Sequence, residues 1–367
     1  MERRTLGKTG LEVSRLGLGG FHLLEIEQKS VKLVVERFLE EGGNYFETAH
    51  SYGDGQSEKK LGVILPKDGI VVATKTGARD AAGAERELVE SLKNLQRDHV
   101  DILFFHAVTT PQDWERITAP GGALEAFERA KAEGWISHVG ITSHGYPGAL
   151  LQALKDYPFD LLMTGFNFYD RFNFPEIEQQ VLPLARSRGM GVLAMKALAD
   201  GYLWRSEQDA FRYVNGLDVD AIVTGINDEQ QLGRDLEWIS LPPMSAKEKE
   251  SLYSESIELG DYVCRQCGKC LPCPKGIDIP GIFLLEGRYD RQMEDGRMRS
   301  VPDHAVRQRF AHWFQNEGVA RKAYEQLRID ASACDECGVC TPRCPYGIDI
   351  PRKLRIVHSK MENGVAW

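Results

Sequence analysis

The chain has 367 residues, 42% of them hydrophobic and 27% charged, the balance of an ordinary globular protein. It carries 45 Lys and Arg against 54 Asp and Glu, a formal net charge of −9, which argues against nucleic acid or an anionic membrane as the main partner. No apolar run approaches the roughly 20 residues of a membrane span, and the opening stretch MERRTLGKTGLEVSRLG lacks the apolar core of a signal peptide, so a reducing cytoplasm is the expected location.

From the N-terminus, RTLGKTGLEVS reads as a hairpin. Eight apolar, often β-branched runs follow: LGLGG from Leu16, YFETA from Tyr45, IVVATKT from Ile70, VDILFFHA from Val100, ISHVGIT from Ile136, LLMTGFN from Leu161, GVLAMKAL from Gly191 and AIVTGI from Ala221. Amphipathic helical patterns lie between them, such as KSVKLVVERFLEEG, ERELVESLKNLQ and PEIEQQVLPLARSRG. Glycine closes several, in EEGG, AEGW and SRGM. This alternation predicts an α/β fold, a (β/α)8 TIM barrel over residues 1–242 with the hairpin as an N-terminal plug. No G-x-G-x-x-G opens a helix after a strand, so a Rossmann-type cofactor site is not indicated. The stretch TTPQDWERITAPGG, 109–122, reads as a long loop that could bring Trp114 to the substrate pocket.

Three consecutive strand ends carry chemistry. The second strand runs into Glu47 and, just beyond, Tyr52; the third ends at Lys75; the fourth ends at His106. All fall at the C-terminal mouth, where barrel enzymes place their active sites. A phenol is a poor acid, with an unperturbed pKa of about 10. A cation beside it favours the phenolate and brings that value into a useful range. Lys75 would supply the cation, Glu47 would hold it charged, and His106 could donate to a carbonyl oxygen as negative charge develops there. Singly, each residue has a bland explanation as a rim aromatic, a core histidine or a solvated lysine. Their coincidence on neighbouring strand ends favours function.

The motifs RTLGKTGLEVSRLGLGG, GGNYFETAHSYGDGQSEKKLG, VVATKTG, DILFFHA, GITSHG and GFNFYDR make residues 1–240 similar to the aldo-keto reductases. That resemblance implies NADPH lying extended across the barrel mouth, hydride transfer between it and an aldehyde or ketone (or the corresponding alcohol), and Tyr52 as general acid/base. The family's tetrad is Asp, Tyr, Lys and His; Tyr52, Lys75 and His106 match it, and Glu47 stands in the place of the Asp. The nicotinamide amide would meet Ser143 and Asn167, with Met163 where a Gln is usual. Met195 replaces the aromatic that stacks on the ring, and Lys196 with the segment to Gly201 would reach the pyrophosphate. The adenosine end has the pattern G-x-R-x-x-x-Q-x-x-x-N in the family. Here Gly225 and Gln231 match, while Asn227 replaces the Arg that clamps the 2′-phosphate and Asp235 replaces the Asn. With Asp228 and Glu229 beside Asn227, NADPH selectivity should fall and NADH becomes a contender. Arg234 is the one nearby candidate to compensate.

Pro242 and Pro243 end the barrel, and Ser245 opens a new helix in SAKEKE, giving a helical linker over 243–263. The remainder, 264–367, holds every cysteine of the chain. Cys264, Cys267, Cys270 and Cys273 read C-x2-C-x2-C-x2-C-P; Cys334, Cys337, Cys340 and Cys344 read C-x2-C-x2-C-x3-C-P. Three thiolates at this spacing can wrap one face of a cubane. Structural zinc usually uses two C-x2-C pairs across a longer loop, and disulfides do not suit a reducing compartment. The expectation is two 4Fe-4S clusters. The runs resemble those of two-cluster ferredoxins, in which the fourth cysteine ligates the other cluster. The sets so implied are Cys264, Cys267, Cys270 with Cys344, and Cys334, Cys337, Cys340 with Cys273. The spacer, with EGRYDRQMEDGRMRS and HAVRQRFAHWFQNEGVARKAYEQL, is rich in helix formers and resembles the all-helical ferredoxin domain of fumarate reductase iron–sulfur subunits. The repeated GIDIP, 276–280 and 347–351, suggests matching chain exits from the two cluster loops.

Hydride carries two electrons and a 4Fe-4S cluster accepts one, so coupling them ordinarily calls for a flavin; a barrel mouth can hold FMN without a short motif. Three roles for the tail follow: a structural staple, a wire from the barrel to an external electron carrier, or an electron-transfer module on a barrel that has lost nicotinamide chemistry.

Overall fold

A computed structural model describes residues 1–144, 147–261, 263–292 and 318–363. The helical expectation for the middle of the spacer, 293–317, lies outside the described residues. None of the described helices is long and apolar enough to cross a membrane.

The chain divides into two compact units. The first comprises Met1–Asn167, Glu176–Leu198 and Gln208–Pro243. It opens with the expected hairpin, β1 (Arg3–Thr5) antiparallel to β2 (Glu12–Ser14). Among the described residues, eight parallel strands then close into a barrel: β3 (Leu16–Gly19), β4 (Tyr45–Glu47), β5 (Val71–Thr76), β6 (Val100–Phe105), β7 (Ile136–Ser143), β8 (Leu161–Gly165), β9 (Gly191–Met195) and β10 (Ala221–Gly225). Pairing of β10 with β3, Ile222 opposite Leu16, completes the ring.

Inward-facing Val71, Ala73, Ile102, Phe104, Leu161, Met163, Leu193 and Val223 fill the barrel, and the hairpin adds Leu6 and Val13 to the same cluster, so it does act as a plug. The glycines that close the helices at Gly42, Gly134 and Gly189 adopt φ of 85°, 79° and 69°, left-handed geometry that a side chain would strain. One expectation is corrected here. Residues Pro111–Thr118 are a helix, capped by Thr110 and Asp113, rather than a loop. Trp114 is buried, packs edge-on against Phe105 and tilted against Phe159, and donates its indole N–H to Asp156 Oδ2 at 2.9 Å. It is packing, not pocket lining.

The second unit gathers Met244–Trp367 with Phe168–Pro175 and Ala199–Glu207, two stretches that follow barrel strands in sequence and that a division at 242 alone does not assign to it. Ser245 caps helix Ala246–Glu255 in a reciprocal bond with Glu248, as its sequence predicts. Helices Ile279–Gln292, Gly318–Glu325 and Ile350–Asn363 pack around Phe283, Tyr289, Tyr324, Leu354 and Val357. The mainly helical second unit matches the sequence expectation. Inside it, Lys360 bonds Glu286 at 3.0 Å and Asp290 at 2.8 Å, and Lys353 pairs with Glu286.

Candidate active site and cluster loops

The mouth of the barrel brings together the four residues predicted for catalysis. Glu47 is the last residue of β4, Lys75 lies in β5, His106 follows β6, and Tyr52 stands on the turn after β4. Parallel register sets neighbouring strand ends side by side, with Glu47 opposite Ala73 and Lys75 opposite Phe104. Lys75 Nζ donates to Tyr52 Oη at 3.0 Å and to the Thr48 carbonyl at 2.9 Å, and forms an ion pair with Glu47. Its charge also lies 4.6 Å from the centroid of the Tyr52 ring. The longer Glu47 therefore reaches Lys75, and the Lys–Tyr bond survives the replacement of Asp.

Sequence reading missed the residues that orient this group. The Tyr52 ring is held edge-on between Phe21 (5.1 Å between centroids) and His106 (5.7 Å). Ser51 Oγ shares a hydrogen bond of 3.2 Å with His106 Nδ1, which fixes the orientation of the imidazole ring. Arg79 donates to the carbonyls of His106 and Ala107 at 2.9 and 3.0 Å, and its guanidinium is itself paired with Asp113. Ala107 has φ of 53°, so Arg79 fastens a strained backbone next to the imidazole. His144, on the adjoining loop, has its ring 6.2 Å from that of His106.

Lys75 is only 2% exposed. Burial disfavours its ammonium and pulls its pKa well below the ordinary lysine value, while the Glu47 carboxylate opposes that shift. Glu47→Gln keeps the shape and removes the counter-charge. It should cost about 3 kcal/mol of stability at neutral pH in chemical denaturation, because a buried ammonium is left alone. The folded pKa is then depressed, so between it and the unfolded value of about 10.4 the unfolded chain holds more protons and stability rises with pH. The deficit of the variant should accordingly shrink as pH approaches 10; a deficit constant across that range would mean the pair is not the source.

The residues predicted for a dinucleotide divide into two groups. Ser143 ends β7 fully buried, and among the described residues its hydroxyl has no hydrogen-bond partner. Asn167, buried after β8, donates to the Lys196 carbonyl at 3.1 Å. Met195 ends β9 against the barrel interior, which also holds Met163. Beyond it Lys196, Ala199 and Asp200 all have positive φ, and Gly201 follows at 93°. An orphaned hydroxyl, an amide and a thioether at the ends of three successive strands, β7, β8 and β9, suit a carboxamide-bearing ring: one acceptor-donor to bind, one apolar face to cover.

The second group is tied up internally. Asp235 is buried and accepts from Thr224 Oγ1 at 2.7 Å, fastening helix Glu229–Ile239 to β10. Gln231 Oε1 accepts from the Asn227 backbone at 3.0 Å, and Asn227 Nδ2 donates to Glu25 Oε2 at 2.9 Å. Gly225 is where His22 lies close: a β-carbon there would fall 1.9 Å from His22 Cδ2. Arg234 is in the same helix.

In the second unit the two cysteine runs adopt matching backbones. Gln266 and Gly268 have φ of 56° and 70°; their counterparts Glu336 and Gly338 have 58° and 72°. The runs leave through Gly276 and Gly347, at 74° and 71°. Each GIDIP then starts a helix with its Asp as cap, Asp278 accepting from Gly281 N at 3.2 Å and Asp349 from Arg352 N at 3.3 Å. The repeated sequence is thus a repeated structure. Gln266 N–H donates to Cys264 Sγ at 3.4 Å, the kind of amide–sulfur bond that supports cluster thiolates. Cys270 and Cys340 are buried in the helical core, and Cys267 and Cys337 are exposed. Burial raises the Cys264 thiol to about 11 and raises Cys270, whose pKa the nearby Cys267, Cys340 and Cys344 push further up. Any metal held by these sulfurs would have to displace their protons. Cys344, from the second run, lies within electrostatic reach of Cys270 in the first.

Two family models match the chain: the aldo/keto reductase family over residues 15–239 and a 4Fe-4S dicluster domain over 263–349. An uncharacterized oxidoreductase of Bacillus subtilis, YrpG, is 30% identical, covering 55% of this chain and 68% of that protein. The L-galactose dehydrogenase of Arabidopsis thaliana is 31% identical over 55% of this chain and 67% of its own. Among solved structures, an aldo-keto reductase from Bacillus halodurans in its holo form superimposes with a TM-score of 0.60 at 25% identity, over 69% of this chain and 95% of that one. The matched segment contains the barrel and its mouth, and the chain belongs to the aldo/keto reductase family.

Proposed function

We propose that the protein interconverts a small carbonyl compound and its alcohol at the barrel mouth, with NADH or NADPH as the hydride partner and Tyr52 as general acid/base. The observation that carries this reading is the 3.0 Å bond from Lys75 Nζ to Tyr52 Oη inside a buried pair with Glu47. Bound nicotinamide would supply the hydride, with Ser143, Asn167 and Met195 as its neighbours. His106 directs a ring nitrogen at the carbonyl oxygen and polarises it. As negative charge gathers on that oxygen, Tyr52 gives up the proton on Oη. Lys75 stabilises the phenolate left behind, and Glu47 keeps Lys75 charged. In the oxidative direction each movement reverses, Tyr52 phenolate taking the alcohol proton.

In the tail, Cys264, Cys267, Cys270 and Cys344 would hold one 4Fe-4S cluster and Cys334, Cys337, Cys340 and Cys273 the other. A second reading has the clusters exchanging single electrons with an external carrier. The exposure of Cys267 and Cys337, one from each set, favours it, because surface sulfur shortens the path to a partner. The family matches lend no support to a flavin. Anaerobically purified protein, assayed for carbonyl-dependent oxidation of NADH and NADPH while the cluster absorbance is followed, tests both. Turnover with the clusters left oxidised supports the reductase with a structural tail; bleaching of the clusters supports wiring; absence of turnover with any aldehyde, ketone or alcohol in a broad panel sinks the first reading.

A further inference from the structure

We propose that the two cysteine runs hold clusters of unequal reduction potential, and that the buried Arg265 guanidinium makes the cluster of the first run the one reduced first. This goes beyond the carbonyl chemistry and rests on the reading that the cysteines carry two 4Fe-4S clusters. The two loops share a backbone but differ in charge. Aligned on their cysteines, Arg265, Gln266 and Lys269 of the first stand where Asp335, Glu336 and Val339 stand in the second. The left-handed residues coincide, Gln266 with Glu336 and Gly268 with Gly338. What distinguishes the two sites is therefore their side chains.

Burial decides which of these charges count. Arg265 is 7% exposed and is held by three carbonyls: Nε donates to Tyr253 at 3.1 Å, and Nη1 to Gly260 and Val263, each at 2.6 Å. Its Cζ lies 4.8 Å from the centre of the Tyr346 ring, and Tyr346 is two residues beyond Cys344. Among the described residues no carboxylate forms an ion pair with it. Burial pulls its pKa below the ordinary guanidinium value, while Tyr346, Cys264 and Cys344 oppose that shift, so sulfurs from both runs are within its electrostatic reach. A guanidinium stays charged all the same. A buried cation without a counter-charge stabilises the negative charge that reduction adds to a nearby cluster.

The charges of the second loop are paired and solvated. Asp335 meets Lys275 at 3.1 Å with both side chains nearly half exposed, and Glu336 pairs with Arg355, also exposed. Solvent and salt screen such pairs. Asp335 Oδ1 also accepts the Cys337 amide at 3.3 Å, whereas in the first loop the Gln266 amide donates to Cys264 Sγ at 3.4 Å. One loop gives an N–H to sulfur and the other gives one to a carboxylate. Both differences favour reduction at the first run.

The test is a redox titration of the anaerobically purified full chain, followed by electron paramagnetic resonance, with dithionite as reductant and iron and sulfide counted beforehand. The wild type should show two one-electron waves at least about 59 mV apart, a tenfold preference of the first electron for one cluster. Arg265→Gln should draw the upper wave toward the lower and leave the lower in place. Arg265→Lys, which keeps the charge, should restore most of the separation. Asp335→Asn with Glu336→Gln, at exposed positions, should move only the lower wave, upward and by less than about threefold in occupancy. Coincident waves in the wild type overturn the proposal. So does Arg265→Gln protein with full iron and an unchanged separation, or one in which the lower wave moves in place of the upper. Iron lost from Arg265→Gln and Arg265→Lys alike would make the guanidinium a strut and overturn it too. Wild-type protein without stoichiometric iron and sulfide would instead bring down the cluster reading, and this inference with it.

Discussion

Tyr52→Phe should lower the rate of carbonyl reduction by about 10²–10⁴-fold, or about 3–5 kcal/mol of barrel-mouth catalysis, while dinucleotide affinity stays within about twofold of the wild type. The structure explains why the effect should be confined to chemistry. The ring keeps both of its edge-on neighbours, Phe21 and His106, so packing is unchanged. Lys75 loses one acceptor but retains the Glu47 carboxylate and the Thr48 carbonyl, so no buried charge is stranded. What disappears is the proton on Oη. Steady-state turnover and a separate binding titration distinguish the outcomes. A loss shared equally between affinity and turnover would point to a binding role for the phenol, and full turnover in the variant would eliminate Tyr52 as acid. His106, the only other proton donor proposed to face the reacting oxygen, would then have to carry the transfer.

How this site could be recognised from sequence alone depends on the kind of information each residue carries. Glu47, Lys75 and His106 were legible because a parallel barrel converts strand order into spatial order: polar residues at the ends of successive apolar runs must meet at one mouth. The dicluster domain was legible because the spacing of its two cysteine runs is local. The turn that carries Phe21 and Glu25 was not legible. Its contacts join residues 202 positions apart in the case of Asn227, and neither periodicity nor a motif encodes such a bond. Arg79 and Ser51 were missed for the same reason, since each acts on His106 from a separate loop. Trp114 was a different kind of miss. Thr110, Pro111 and Asp113 form a capping sequence with proline in the first turn, a local helix signal that outweighs the loop-like composition around it. The assignment of 168–175 and 199–207 to the second unit had no compositional marker at all.

Pairs of cysteine substitutions should reveal how the two runs share their clusters, and the expected result is not additive. If Cys344 completes the set of Cys264, Cys267 and Cys270, then Cys344→Ala and Cys264→Ala damage the same cluster. The double variant should keep about four of the roughly eight irons, as each single variant does. Cys344→Ala with Cys334→Ala, although both lie in one run, should lose nearly all iron, because each removes a ligand from a different cluster. Ligation within each run predicts the opposite pattern, and iron analysis with electron paramagnetic resonance of the reduced protein separates the two. One contact joins the runs directly: Arg343 donates to the Pro272 carbonyl at 3.2 Å, fastening the exit of one run to the other. Cys340 and Cys344 of the second run both lie near enough to Cys270 of the first to raise its thiol pKa, the proximity that sharing across the runs requires. Cross-ligation also has a mechanical consequence. Each cluster then staples two segments about 70 residues apart, rather than one tight loop, so losing either should loosen the whole helical unit, while the barrel, with its own closed sheet and interior, keeps its fold. Proteolysis of the apo-protein should accordingly cut within 244–367 and spare the barrel; a barrel degraded at the same rate would show that its stability depends on the iron as well.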